Sequence, residues 1–159
     1  MYSRVDSFAQ RVRFKYIMKL MEDQTIVIQQ QHHLKRAELD VLYFLSRSGE
    51  LDTSTDIRRV LLMNRGHVSQ TMERLRRKKL LVAIQDETDR RYIHYQLTGE
   101  ACEIAREVAE VWERIEQTLF HGITRREQET LYRITEKIAW NLERVGGEEA
   151  LRDRIFLRR

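Results

Sequence analysis

Residues 64–98 read NRGHVSQTMERLRRKKLLVAIQDETDRRYIHYQLT, and three local patterns follow one another within them. Asn64 is a good helix N-cap, since its short side-chain oxygen accepts from an otherwise orphaned amide of the first turn. From Arg65 to about Lys78, Val68, Met72 and Leu75 recur at helical spacing. Leu80 to Ile84 is β-rich and too short for a helix. From Tyr92 to Leu97, Ile93, Tyr95 and Leu97 alternate with Tyr92, His94 and Gln96, the period-two mark of a half-buried strand. The polar residues 85–91 join the two strands as a long hairpin loop.

Working upstream, Thr53 and Asp56 stand at capping spacing and open a short helix to about Met63. AELDVLYFL (37–45) is another helix, with Gly49 in SRSGE available to stop it. A first helix is expected from Ser7 to about Gln30, with Ser7 and Gln10 spaced as a capping box. It carries two apolar stripes: Phe8, Val12, Tyr16, Leu20 and Val27, then Phe14, Ile17, Met21 and Ile28. A surface helix of a monomer needs one stripe, so two imply burial from both sides. Downstream, Thr98 caps a long fifth helix with the stripe Ile104, Val108, Val111, Ile115 and Leu119. Thr124 and Glu127 open a sixth with Leu131, Ile134, Ile138, Leu142 and Val145 on one face, ended by Gly146 and Gly147. Residues 148–159, EEALRDRIFLRR, read as a short helix or a tail.

Three helices, a strand, a long loop and a strand are the order of a winged helix-turn-helix. The expected architecture is mainly α with a small β-hairpin wing (α+β). A DNA-binding lobe would occupy 34–97, with 1–33 and 98–147 forming a helical dimerisation region. The first, fifth and sixth helices have more apolar surface than one small lobe can cover, and Trp140 lies opposite the main stripe of its helix. A homodimer is therefore expected, and its two-fold would space two reading helices by about 34 Å, one turn of DNA.

Composition narrows the class. Of 159 residues, 34% are charged and 42% apolar, which reads as a folded globular chain rather than a disordered one. Proline is absent, in keeping with a helix-rich fold, and no apolar run approaches a membrane span. The N-terminal stretch has no secretory pattern, and the single cysteine, Cys102, has no internal disulfide partner; both fit a reducing cytoplasm. The net charge of +4 is unevenly spread. Residues 53–97 hold ten basic against five acidic side chains, whereas 98–147 hold seven against ten. The middle third carries the positive field, which suggests a polyanion partner there, the alternative being a solvated basic face; double-stranded DNA becomes the expected partner, and no membrane, once the helix and wing below are added.

The fourth helix is the decisive element. Opposite Val68 it presents Gly66, His67, Gln70, Glu73, Arg74 and Arg77, small and polar at the N-terminal end and cationic beyond. A helix in a major groove needs short residues near base edges, amides and guanidiniums for bidentate contacts, and cations for phosphates. Asn64 and Arg65 stand at the positive end of the helix dipole, and Ser69 and Thr71 complete the candidate DNA contacts. Arg90 and Arg91, on the hairpin loop, are placed to enter the adjacent minor groove, where narrow A·T-rich segments attract arginine. Asp89 would repel phosphate. It makes sense as a partner that orients Arg91, or that anchors the wing to Arg74 or Arg77.

These residues resemble the MarR family of bacterial regulators. LKRAELDVLYFL (34–45), the helix pair from Thr53 to Lys79 and DETDRRYIHYQLTGEA (86–101) carry the likeness. The wing signature Asp-x-Arg, a strand, and Leu-Thr-x-x-(small) is met by Asp89, Arg91, Leu97, Thr98 and Ala101. The resemblance covers about 34–101 by motif and the flanking helices by layout. It implies a homodimer on a palindromic operator, usually a repressor, often released by a small ligand. It also implies Arg91 in the minor groove, Asp89 holding it, and major-groove readers between Arg65 and Arg77. Two departures stand out: Lys79 where the family usually has Gly, and Lys35 where Thr or Ser commonly caps a helix.

By the same resemblance, a small aromatic or amphiphilic ligand would lie between the dimer helices and the winged lobe, near Tyr16, Leu20, His33, Tyr43 or Trp112. Cys102 falls in the first turn of the fifth helix, where the dipole favours a thiolate. No metal or other cofactor is expected: the adjacent His32 and His33 would face different ways, with no Cys or carboxylate cluster to match. An enzyme is not expected either, for lack of a nucleophile–base pair, a phosphate-cradling Gly loop or HExxH. The alternative is a winged-helix protein-interaction module without specific DNA binding.

Overall fold

The computed structural model describes residues 7–146. Seven helices and one hairpin follow in order: α1 (Ser7–Asp23), α2 (Ile26–Gln31), α3 (Arg36–Arg47), α4 (Ser54–Val60), α5 (Arg65–Arg77), β1 (Leu81–Gln85), β2 (Ile93–Leu97), α6 (Gly99–Leu119) and α7 (Arg125–Gly146). The mainly α fold with a two-stranded wing is thus as expected. The Ser7 side chain, those of Leu142 and Val145, Gly147 and residues 148–159 lie outside what is described.

The first expected helix is in fact two. At Gln24 and Thr25 the backbone switches to tighter bonds, Gln24 N–H to Met21 O at 3.3 Å and Thr25 N–H to Glu22 O at 3.2 Å. The Thr25 hydroxyl donates to the same Glu22 carbonyl at 2.9 Å, the kind of side-chain competition that interrupts helices. Arg36, from the start of α3, reaches Glu22 O and Thr25 Oγ1 at 3.4 Å each. The break turns Ile28 into the core while Val27 stays exposed.

Caps elsewhere follow local chemistry. Asn64 Oδ1 accepts from His67 N–H at 2.8 Å, Thr53 Oγ1 from Asp56 N–H at 3.3 Å, and Thr98 Oγ1 from Ala101 N–H at 3.4 Å. Thr124 and Glu127 cap α7 reciprocally. Lys35 takes the N-cap position of α3, and its own amide donates to Glu38 at 2.7 Å. At the far end of α5, Lys79 adopts φ +58°, with Lys79 N–H bonded to Arg76 O and Leu80 N–H to Leu75 O, both at 3.0 Å. This is a Schellman stop built without glycine, at a cost of about 1 kcal/mol. His33 ends α2 in the same way, with φ +53°.

The core lies where α3 packs on α6, α5 and the hairpin. Leu39, Val41, Leu42 and Phe44 of α3, Ile57 of α4, Val68, Met72 and Leu75 of α5, and Ile104 and Val108 of α6 are all buried. The strands pair antiparallel from Leu81↔Leu97 to Gln85↔Ile93. Only the base of the hairpin meets the core: Leu81 is buried and Tyr95 and Leu97 half-buried, but Ile93 is 43% exposed. The expected alternation of burial fades toward the tip because the hairpin projects beyond the lobe. A bridge between Thr53 and His94 adds a short third edge to the sheet.

The flanking helices contrast with this. Phe8, Val12, Tyr16 and Leu20 on α1, and Leu131, Ile134 and Ile138 on α7, are exposed. The α6 stripe is buried from Ile104 to Val111 and open at Leu119. Among the described residues no helix is long and apolar enough to cross a membrane.

Candidate nucleic-acid interface

The buried stripe of α5 sets what its other side presents. With Val68, Met72 and Leu75 inward, Arg65, Gly66, His67, Ser69, Gln70, Arg76 and Arg77 are exposed, and so is Asn64 at the cap. Thr71 is not. It is fully buried beside Met72, one position round from Val68, and its hydroxyl accepts from Arg74 Nη2 at 3.2 Å. A threonine there fills core volume and cannot touch a base.

Arg74 also departs from the free phosphate-reader role. Its Nε donates to Glu38 Oε1 at 2.8 Å, and Lys78 Nζ donates to Glu38 Oε2 at 2.9 Å. Glu38 is wholly buried on α3. Burial pushes its carboxyl up, but the Lys35 amide, Lys78 and Arg74 together bring it below its ordinary value. A buried charge persists only when paired in this way, so Arg74 and Lys78 pin the C-terminal half of α5 to α3. The cations left toward solvent are Arg65, Arg76 and Arg77; Glu73 tethers the last two, at 3.4 Å and 3.0 Å. Such exposed pairs are weak enough to open when a phosphate competes.

The wing is organised from within. Asp86 Oδ1 accepts the Thr88 amide (2.8 Å), the Thr88 hydroxyl (2.6 Å) and the Asp89 amide (2.7 Å), a tight polar turn. These bonds, the Thr88 hydroxyl foremost, hold its carboxyl far below the usual carboxylate range. Asp89 then grips Arg91: Nε to Oδ1 at 3.0 Å and Nη2 to Oδ2 at 2.7 Å, with the Arg91 amide on Oδ1 at 3.1 Å. The Arg91 side chain is 86% exposed nonetheless. Of the two pairings open to Asp89, the one with Arg91 is the one observed. No anchor to Arg74 or Arg77 forms, because those arginines already belong to Glu38 and Glu73. Arg90 is exposed, and its carbonyl accepts from Gln85 Nε2 at 2.9 Å.

Between α4, α5 and the strands lies a concavity of about 700 Å³. Ser54, Thr55, Arg58, Arg65, Ser69, Glu73, Arg76 and Tyr95 contribute its polar lining, the Glu73 carboxylate lying beside Arg76, its ion-pair partner. Ser54, Thr55, Arg58 and Arg76 did not emerge from the sequence. The signal available was Ser54 and Thr55 directly after the Thr53 cap, which places hydroxyls at the first turn of α4. The gap between a groove-reading helix and a wing in the next groove is where one phosphate strand has to run.

The residues expected near a small ligand are dispersed. A separate groove of about 450 Å³ between α1 and α6 is lined by Ile17, Leu20, Met21, Val111 and Ile115 among others. Of the five candidates only Leu20 lines it. Tyr16 is exposed, Tyr43 packs under Arg47 (5.9 Å) and Trp112 under Arg36 (5.8 Å). His33 ends α2, and its carbonyl accepts Lys78 Nζ at 2.7 Å. His32 pairs instead with Glu107 at 3.0 Å, and Cys102 is exposed. Among the described residues no three His, Cys, Asp or Glu side chains are grouped to hold a metal.

Comparison with known proteins agrees with this geometry. Residues 34–101 match the family model of a winged helix DNA-binding domain. S. aureus MepR in complex with DNA has a similar fold, with 22% identity and a TM-score of 0.70 over 82% of this chain and 96% of that one. A MarR protein from Peptoclostridium difficile gives 15% identity and 0.74 over 91% and 93%. NadR in complex with 4-hydroxyphenylacetate gives 18% and 0.70 over 87% and 96%. No curated protein sequence matches. The domain match and the geometry agree on the class of fold, a winged helix over residues 34–101. More particularly, the chain has the fold of the MarR-family regulators, as its wing signature implied.

Proposed function

We propose that this chain acts in the cytoplasm as a homodimeric repressor that binds a palindromic operator and is released by a small aromatic or amphiphilic ligand. The observation that carries the DNA-binding part is the pairing of two presentations. α5 offers Gly66, His67, Ser69 and Gln70 on an exposed face, and the wing holds Arg91 extended in a bidentate grip from Asp89. Gln70 is the candidate for bidentate reading of an adenine, and Arg91 for the minor groove. Asn64, Arg65, Arg77 and Arg90, with Ser54, Arg58 and Arg76 in the concavity, are candidates to position the phosphates between them.

The dimer rests on the exposed apolar stripes of α1 and α7, too large for a solitary monomer surface. In this division 34–97 is the DNA-binding lobe, and 1–33 with 98–147 the dimerisation region. Ligand release is supported by the groove between α1 and α6, whose apolar walls and flanking Arg114 and Gln24 suit a ring bearing a polar group. The NadR complex shows that a protein of this fold takes a small phenolic acid.

Fluorescence anisotropy on the DNA upstream of its own gene, against random duplex, tests the reading across a salt series. Several phosphate contacts predict affinity falling about 10³-fold or more between 50 and 200 mM salt, with the specific duplex preferred throughout. A shallow salt slope and equal binding to both duplexes would instead support a protein-interaction module.

A further inference from the structure

Three side chains lie in a row between the helix-turn-helix and the wing. His94, on β2, has Nδ1 2.5 Å from Asp52 Oδ1 and Nε2 3.1 Å from Asp86 Oδ2. A neutral imidazole donates from one nitrogen only, and ionised carboxylates only accept, so both bonds form together only on an imidazolium. Each carboxylate is tied to a different element. Asp52 adjoins Thr53, the N-cap of α4, and its carbonyl accepts the Tyr95 amide at 3.0 Å. Asp86 shapes the wing turn through Thr88 and Asp89, and Asp89 grips Arg91. The path from the mouth of α4 to the Arg91 guanidinium therefore runs Asp52, His94, Asp86, Asp89, each link a hydrogen bond or adjoining turn.

We infer that His94 is a positioning residue: its doubly bonded ring ties the wing turn to the helix-turn-helix and so sets where Arg91 stands relative to α5. The inference rests on the DNA-binding reading above. A two-stranded hairpin is marginal by itself, and this one packs on the lobe only at its base, so the tip needs a tie. The tie is conditional on a proton. Hydrogen bonding first to Asp52 and then to Asp86 raises the His94 value above that of an ordinary histidine. The clamp is therefore fully present below about pH 6.5 and is lost as pH rises through the higher folded value. Losing the proton leaves two carboxylates facing an uncharged ring, which loosens the tie between the wing turn and the helix-turn-helix. Asp52 comes from the loop ahead of α4 and Asp86 from the wing turn; β1 places Ile84 opposite the ring. Among the described residues α3 and α6, which also pack on β2, supply no ion-pair partner to the ring.

The test is a double-mutant cycle on DNA affinity with full-length protein, using His94→Gln, Arg91→Ala and both, repeated from pH 6 to 8.5. His94→Gln is expected to lose roughly 3- to 10-fold at pH 6.5, the scale of one partly exposed charge-assisted hydrogen bond. In the Arg91→Ala background the same change should cost less than about twofold, since a positioning residue has nothing left to position. The pH effect is read as the difference between the protein and its His94→Gln variant, which should shrink as pH rises. An undiminished loss in the Arg91→Ala background, or a pH-independent difference, overturns the inference. Asp52→Asn, which cuts the far end of the tie, should reproduce the phenotype if His94→Gln folds poorly. Imidazole 15N shifts of the free protein separate the two failures. A doubly protonated His94 in a protein that binds no DNA sinks the DNA-binding reading and this inference with it, whereas firm DNA binding with a neutral His94 at pH 6.5 sinks only this inference.

Discussion

α5 and α7 carry apolar stripes of the same helical spacing and meet opposite fates. Val68, Met72 and Leu75 are 0–4% exposed, while Leu131, Ile134 and Ile138 are 41–51% exposed. The winged lobe closes its core within one chain because α3, α4 and β1 cover α5 from three directions. The outer helices are long and amphipathic, and among the described residues too little packs on them to cover them. An amphipathic pattern thus says that a face will be buried; it does not say by which molecule.

The contrast is sharpened or broken by measurement. The largest effect is expected in the lobe: Phe44→Ala should cost about 3–5 kcal/mol in urea unfolding, since it empties the centre of a closed core. A loss under ~1 kcal/mol would mean the lobe is less complete than its burial indicates. Next, Ile134→Asp on α7 should leave the lobe's circular dichroism intact but dissociate the dimer in sedimentation. Operator affinity should fall by about 100-fold or more, as bivalence is lost. A monomeric native protein, or an unchanged dimer in the variant, would place the partner of α7 elsewhere. Within the lobe, Arg91→Ala should cost about 1–3 kcal/mol of DNA affinity with dimer and melting temperature unchanged. Gln70→Ala should relax base preference by a similar amount while sparing random DNA. Equal losses on both duplexes would remove Gln70 from the reading face. Smallest of all, Lys79→Gly should raise stability by roughly 0.5–1 kcal/mol by relieving its left-handed backbone.

Much of this was legible in the residues because it is local. The Asn64, Thr53, Thr98 and Thr124 caps each join groups three positions apart, and the Asp89–Arg91 grip spans two. The phase of α5 follows from Val68, Met72 and Leu75, so Gly66, His67, Gln70 and Arg77 were read as outward, while Glu73 and Arg74 are only partly exposed and Arg76 was missed. Thr71 was misplaced because a small hydroxyl residue at the edge of a stripe suits either side, and the density of packing around it decides. Arg74 was misread for a different reason: its partner, Glu38, lies 36 residues away and looks like an ordinary helix carboxylate in the sequence.

Element type, cap positions, the hairpin and the sign of the charged middle third were determined by the sequence alone, because each depends on groups within a turn or two of one another. Which α5 cations Glu38 takes up and the placing of His94 between Asp52 and Asp86 were decided by tertiary structure. Those features join groups 8 to 42 residues apart, and no local rule brings such groups within a hydrogen bond until the core has packed.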